Sequence, residues 1–277
     1  MVEMTRKEVS RGRRALNDEV RDIWNQNARF WDEKMGEGNE FHNLLIAPAQ
    51  ERLLALRPDE LVLDVACGNG QFSRRMATLG ARIVAFDISE RLIERAQKRT
   101  SSNEERIQYR VMDATNRRQL MTLGKRRFDA AVCTMALMDI PEVDVLVSCL
   151  SKLLKSDGRF VFSVSHPCFN SSGTTLVAEQ EDRDGELITT YSVKVSKYIR
   201  QLMSRGVAIA GQPIPQYYFD RPISAIFDAC FKAGFVVDGL EEPVFGETAK
   251  AKSAIGWGNY REVPPVLVTR VRLLHPS

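Results

Sequence analysis

Leu61-Val62-Leu63-Asp64-Val65-Ala66-Cys67-Gly68-Asn69-Gly70 runs an apolar stretch straight into a glycine-rich turn. β-Branched members among Leu61 to Val65 suit a parallel strand covered on both faces. Gly68 and Gly70 lack a Cβ, so the backbone can turn sharply there and a ligand can approach it closely. Phe72, Met76 and Leu79 then recur at helical spacing, and Gly80 stands where a helix C-terminal glycine is expected. A second strand, Arg82 to Phe86, delivers Asp87, an acid placed to accept hydrogen bonds from both hydroxyls of a ribose. These features predict a nucleoside-binding βαβ unit. The turn reads Ala66-x-Gly68-x-Gly70 with Ser73 three positions on, and that spacing disfavours the G-x-G-x-x-G fingerprint of a dinucleotide site.

Strand and helix patterns go on alternating from residue 61 to 164, as a parallel sheet demands. Ser89 can cap a helix from Glu90 to Arg99 with Leu92, Ile93 and Ala96 on its inner face. Val145, Leu146, Cys149, Leu150, Leu153 and Leu154 form another apolar stripe, which Gly158 is expected to end. Residues 165–216 break the pattern with few apolar runs and the polar stretch Glu179-Gln180-Glu181-Asp182-Arg183-Asp184-Gly185-Glu186. An insertion after a strand's carboxyl end sits over the crevice where ligands bind in open α/β sheets, so this one is expected to shape a pocket that Tyr191, Tyr198, Tyr217, Tyr218 and Phe219 could line. A helix from Ile223 to Ala233, with Ile226, Phe227, Cys230 and Phe231 inward, and strands Phe235 to Leu240 and Val266 to Leu273 complete the core. Residues 241–263 form a long loop with Trp257 and Tyr260, which either folds back toward the site or covers the sheet edge.

Taken together, Asp64-Val65-Ala66-Cys67-Gly68-Asn69-Gly70 and Asp87 resemble the first two motifs of the class I S-adenosylmethionine-dependent methyltransferases. Val111-Met112-Asp113-Ala114 resembles the third, Phe128-Asp129-Ala130-Ala131-Val132-Cys133-Thr134 the fourth, and Leu154-Lys155-Ser156-Asp157-Gly158-Arg159-Phe160 the turn into strand five. The resemblance implies an α/β fold, a Rossmann-like seven-stranded, mostly parallel sheet with helices on both faces, closed by a C-terminal antiparallel hairpin. The expected organisation is an N-terminal tail and helical cover at 1–50, a cofactor-binding core at 51–164, an insertion capping the acceptor pocket at 165–216, and the C-terminal part of the core at 217–277. It implies S-adenosylmethionine as cofactor, leaving S-adenosylhomocysteine, with contacts from Asp64, Ala66, Cys67, Gly68, Gly70, Phe86, Asp87, Ile88, Met112, Asp113, Ala114 and Cys133. In the family, an acid placed like Asp113 contacts the adenine amino group.

Methyl transfer from a sulfonium is an in-line displacement, so a protein mainly aligns acceptor and methyl and removes a proton where the acceptor needs it. His166, in Ser165-His166-Pro167-Cys168-Phe169 directly after strand five, is the first candidate base. His42, from the N-terminal segment, is the second. The acceptor is expected to meet Trp31, His42, Asp139 and Tyr218, although Asp139 reads equally as an acid at a helix N-terminus. The bulky pattern Val20, Ile23, Trp24, Phe30 and Trp31 is either a helical cover over the cofactor or a helix pair on the sheet edge.

Composition narrows the rest. With 39 basic and 36 acidic residues the formal charge is +3, which argues against a dedicated nucleic-acid surface. The five cysteines contain no C-x-x-C pair, and the three histidines at 42, 166 and 275 show no ligand spacing, so neither a disulfide framework nor a metal site is expected. No apolar run approaches a membrane span and the charged N-terminus lacks the apolar centre of a signal peptide, so no membrane partner and a cytoplasmic location are expected. The first 15 or so residues are expected to be poorly ordered. The leading expectation is a methyltransferase acting on an oxygen, nitrogen or carbon nucleophile of a small molecule. The alternatives are an RNA or protein methyltransferase, a catalytically silent S-adenosylmethionine-binding module and, more remotely, a nicotinamide dehydrogenase.

Overall fold

A computed structural model describes residues 6–102, 104–247 and 253–274 of the chain. His275 and the first five residues lie outside the described part. The backbone is helical from Arg6, in α1 (Arg6–Met35). A π-helical turn, His42–Ile46, leads into α2 (Ala47–Leu54). The core then alternates: β1 (Leu61–Val65), α3 (Gln71–Thr78), β2 (Arg82–Asp87), α4 (Glu90–Arg99), β3 (Ile107–Val111), α5 (Arg117–Met121), β4 (Phe128–Thr134), α6 (Val143–Leu153) and β5 (Leu154–Ser165). Two hairpins follow, β6 (Thr174–Arg183) with β7 (Glu186–Val195), and β8 (Leu202–Gly206) with β9 (Gln216–Asp220). The chain ends with α7 (Ile223–Lys232), β10 (Phe235–Glu241) and β11 (Val266–Leu273).

The main sheet has seven strands in the order β10-β11-β5-β4-β1-β2-β3. β1 to β5 pair in parallel, while β11 runs antiparallel to both β5 and β10. This is the Rossmann-like sheet with a closing hairpin that the sequence predicts. β1 lies between β4 and β2, so the winding reverses at the carboxyl ends of β1 and β4, and the crevice opened there is where doubly wound sheets bind ligands. Two buried clusters flank the sheet. One gathers Phe128, Leu146, Leu150, Phe160 and Phe162, and the other Leu54, Phe72, Met76, Ile83 and Val161. Among the described residues, no helix is long and apolar enough to cross a membrane.

Local departures from the expected pattern have local causes. α6 stops at Leu153 rather than at Gly158, because Leu154 already takes an extended conformation and pairs with Phe128. Residues 155–158 form an irregularity in β5 before Arg159 pairs with Ala130. The positive φ falls on Asp157, at 59°. On α7, Phe231 is 56% exposed instead of inward, while Ile226, Ala229 and Cys230 are buried. Tyr198 turns to α7: its hydroxyl accepts the Ile223 N–H at 3.1 Å and so caps the helix, which Pro222 precedes without a side-chain cap of its own.

Candidate active site

The carboxyl ends of β1, β2, β3 and β4 open into a cavity of about 780 Å³, roofed by α1, the β8–β9 hairpin and the loop after β10. Its size falls within the roughly 300–1,000 Å³ of small-molecule sites. The floor is the turn after β1. Ala66, Gly68 and Gly70 all take positive φ, at 53°, 56° and 75°. Met135, after β4, does the same at 50°. Ala66 and Met135 are non-glycine residues held in a disfavoured region, and both line the cavity.

The two glycines do different work. A Cβ on Gly68 would meet nothing within 4 Å, because the position faces the open cavity. A Cβ on Gly70 would come within 2.4 Å of the Tyr109 hydroxyl, so Gly70 permits packing between the turn and β3 and does not line the cavity. Cys133 is likewise fully buried in the core beneath the floor.

Three buried carboxyls face the cavity. Asp87 accepts the Gly68 N–H through Oδ2 and the Ser89 N–H through Oδ1, both at 2.9 Å. The Ile88 N–H is a third backbone donor to this carboxylate, which keeps some acceptor capacity. Burial pushes its carboxyl up to about 6, against the pull of those backbone donors. Asp64 accepts the Ser73 hydroxyl through Oδ2 at 2.5 Å, while its buried Oδ1 has no partner among the described residues. Burial first, and the neighbouring Asp87 charge, push Asp64 up to about 7. Asp139 follows β4 on a 3₁₀ turn, Leu137–Asp139, rather than at a helix N-terminus, and burial raises it well above the ordinary carboxylate range.

Among the described residues, the cations that line the cavity are Arg205 and Arg221, and both are engaged elsewhere. Arg221 donates to the carbonyls of Leu137, Phe219, Ile140 and Pro141. Arg205 donates to Pro215 O and lies 5.0 Å over the Tyr217 ring. A site with buried acids and no uncommitted cation suits a positively charged ligand. The unpartnered Asp64 Oδ1, the acceptor capacity left on Asp87 and the open space at Gly68 together fit a cation carrying a ribose.

α1 is one continuous roof rather than a helix pair on the sheet edge, and polar side chains hold it over the site. Asn17 Nδ2 donates to Thr115 Oγ1 at 2.5 Å and to Asp113 Oδ2 at 3.4 Å. Asn25 Oδ1 receives the Ser89 hydroxyl at 2.7 Å. Asp32 is 7% exposed and pairs with Arg95, Arg99 and Asn69, and these donors hold its carboxyl below the ordinary range despite its burial. Asn27 exchanges hydrogen bonds with the backbone of Ile214, which ties the roof to the approach to β9. None of these four residues stands out in the sequence, since their partners lie 37 to 187 positions away. Polar residues flanking the apolar stripe of a largely charged helix were the available signal.

Of the other residues expected to bind a ligand, Asp64, Ala66, Cys67, Gly68, Phe86, Asp87, Ile88, Met112, Asp113 and Ala114 line the cavity, as do Trp31, His42, Asp139 and Tyr218. His166 does not. It is 1% exposed and stacked on Phe169, its Nδ1 accepts the Cys168 N–H at 3.2 Å, and its Nε2 meets Glu242 Oε1 at 2.7 Å. Nδ1 is an acceptor there, so Nε2 carries the proton and donates it to Glu242. Neither nitrogen is free to take a proton from a bound molecule, which corrects the expectation that His166 acts as base. The same contact pins the loop after β10, and that loop folds back to bring Trp257 to the cavity. His42 does face the cavity, but burial lowers its ring to about 4, so it is neutral and weakly basic at physiological pH.

Comparison with known proteins agrees with this geometry. Residues 63–162 match the family model described as a methyltransferase domain. A curated relative from Coxiella burnetii, a ubiquinone biosynthesis O-methyltransferase, is 28% identical over 157 residues, covering 55% of this chain and 64% of the relative. The match therefore spans less than two thirds of that protein's length. A solved S-adenosylmethionine-dependent methyltransferase from Listeria monocytogenes superposes with a TM-score of 0.63 at 22% identity, covering 83% of this chain and 99% of the other. A second, from Mesorhizobium loti, does so with a TM-score of 0.61 at 21% identity, covering 81% and 96%. Through the matched domain, the sheet order and the glycine turn with its buried acids, residues 63–162 are similar to the methyltransferase-domain family, and the chain shares the fold of the S-adenosylmethionine-dependent methyltransferases it superposes on.

Proposed function

We propose that this chain transfers the methyl group of S-adenosylmethionine to an oxygen, nitrogen or carbon nucleophile of a small molecule held in the roofed cavity. The observation that carries the reading is the pair of buried carboxyls, Asp64 and Asp87, on either side of a turn whose Gly68 faces open space. The bound cofactor supplies an electrophilic methyl on a positively charged sulfur. Asp87 offers its remaining acceptor capacity to the ribose hydroxyls. Asp64 Oδ1 gains a cationic partner, which offsets the cost of its burial. Phe86, Ile88, Met112 and Ala114 give the base an apolar slot, and Asp113 closes its polar edge. α1 and the β8–β9 hairpin exclude water and bring the acceptor to the methyl, so that alignment rather than covalent participation carries most of the rate. The curated O-methyltransferase relative supports an oxygen nucleophile. Near-neutral charge favours a small acceptor over RNA.

Isothermal titration with S-adenosylmethionine, S-adenosylhomocysteine and NAD tests the reading. Micromolar binding of both sulfur ligands, weakening as pH falls through about 7 and about 6 when Asp64 and Asp87 take up protons, is the expected result. Binding of NAD alone, or of none of the three, overturns it.

A further inference from the structure

We infer that Asp139 receives the acceptor's proton, and that the acceptor is an uncharged, ring-bearing molecule presenting an O–H or N–H group. The inference rests on the methyl-transfer reading and adds to it the chemistry of the second substrate.

The orientation of Asp139 is imposed from behind. Gln212 Oε1 accepts the Ala208 N–H at 3.2 Å, which turns its Nε2 toward Gln216 Oε1 at 3.1 Å. Gln216 then has its amide oxygen occupied, so its Nε2 must point at Asp139 Oδ1, 3.1 Å away. Gln212 and Gln216 are 6% and 2% exposed, so water does not scramble this order. Asp139 Oδ1 is thereby fixed as an acceptor, and Oδ2 accepts no hydrogen bond from any described residue while its side chain lines the cavity. Arg221 holds the turn by bonding to Leu137 O and Ile140 O on either side of Asp139 and to Pro141 O beyond. A guanidinium spent on carbonyls frames the carboxyl without neutralising it.

The same commitments define what the pocket rejects and accepts. With Arg205 and Arg221 engaged, an anionic acceptor would meet three buried carboxyls and no uncommitted cation among the lining residues. Aromatic side chains line the same cavity, with Tyr218 near enough to Asp139 to feel its charge. Trp24 and Trp31 meet edge to face at 5.3 Å, Tyr218 stands beside the acid on β9, and Trp257 closes the loop side. The buried Trp31 Nε1 has no partner among the described residues, which leaves a donor for a polar substituent on a bound ring. Burial favours the protonated form of Asp139, so only its ionised carboxylate can act as base, and that form holds an incoming proton more firmly than an ordinary carboxylate does; His42 is a weaker base than an ordinary imidazole and His166 is committed to Glu242. In the transfer step the acceptor's O–H or N–H proton passes to Asp139 Oδ2, and the freed pair bonds to the methyl carbon. The carbon–sulfur bond breaks with its electrons left on sulfur, giving a neutral thioether. Asp139 later returns its proton to solvent.

The test titrates the whole protein and Asp139→Asn with phenol, aniline, anisole and benzoate, each with and without S-adenosylhomocysteine. Asparagine keeps an oxygen for Gln216 but puts a donor where Oδ2 accepts. The parent is expected to bind phenol and aniline at least ~10-fold more tightly than anisole, with benzoate undetected. In the variant the preference is expected to vanish or reverse toward anisole. Equal affinity for phenol and anisole in the parent, binding of none of the four, a preference unchanged in the variant, or tight benzoate binding overturns the inference. If the variant fails to fold, the order of the four probes on the parent still decides. Failure of S-adenosylhomocysteine to bind would instead remove the methyl-transfer reading, and the probe order is read independently of it.

Discussion

Replacing Asp64 by asparagine should stabilise the cofactor-free protein while weakening its hold on the cofactor. The side chain is 1% exposed, Oδ1 has no partner among the described residues, and its carboxyl is raised from the ordinary 3.8 to about 7. The folded state thus holds the proton more tightly than the unfolded chain does. Ionisation of Asp64 therefore opposes folding, by an amount that grows as pH rises above 3.8 and is complete above about 7. At ~1.4 kcal/mol per unit, the shift corresponds to about 4 kcal/mol at pH 8, as a ceiling. Asparagine keeps an oxygen for the Ser73 hydroxyl but leaves an amide donor unpaired, which costs about 1–3 kcal/mol. The difference, roughly 1–3 kcal/mol, raises the melting temperature by roughly 2–10 °C in a chain of this size. Scanning fluorimetry at pH 8 and at pH 4.5, with and without S-adenosylhomocysteine, checks it. The gain should shrink or disappear at pH 4.5, and the ligand-induced shift should be smaller than the parent's at pH 8. A folded variant less stable than the parent at pH 8, or a gain independent of pH, refutes the reasoning.

Other outcomes follow from neighbouring contacts. Asp87→Asn should weaken S-adenosylhomocysteine binding by about 10–100-fold, the worth of hydrogen bonds to a charged acceptor, with unchanged affinity in titration counting against the ribose role. Gly70→Ala forces a Cβ to within 2.4 Å of the Tyr109 hydroxyl at a φ of 75°, and should cost about 1–3 kcal/mol. Adding Tyr109→Phe should restore part of that loss in denaturant melts, because the nearest colliding atom is gone. His166→Asn should lower the melting temperature by releasing the loop after β10, yet leave kcat within a few-fold of the parent, and a loss of kcat at unchanged stability would return His166 to the chemistry. His42→Phe should protect against acid: the histidine is neutral in the fold down to about 4 but charges in the unfolded chain below 6.5, so the parent loses stability across that interval as pH falls. Melts at pH 5 and pH 8 should show the variant gaining on the parent at the lower value.

Much of the molecule was legible along the chain because its signals are local. Leu61 to Val65 is apolar at every position but Asp64 because both faces of a central parallel strand are covered, and glycine at 68 and 70 marks a turn that needs positive φ. Ser89 announces α4 by accepting the Leu92 N–H three residues on. What the sequence left open depends on partners far away in the chain. Gly68 and Gly70 look alike as letters, and the distance of one from Tyr109 and the openness around the other separate packing from ligand approach. His166 and Asp139 both follow core strands. Glu242, 76 residues on, takes up the histidine, while Gln216, 77 residues on, orients the acid and leaves one of its oxygens to the cavity. α1 shows its apolar stripe in sequence, but its place over the site is decided by Asn17, Asn25, Asn27 and Asp32 meeting groups that only folding brings near. Backbone periodicity and turn chemistry act over a few residues and so can be read from the chain. Burial, desolvation and the saturation of hydrogen-bonding groups are properties of the assembled neighbourhood, and they decide which of several plausible side chains is free to act.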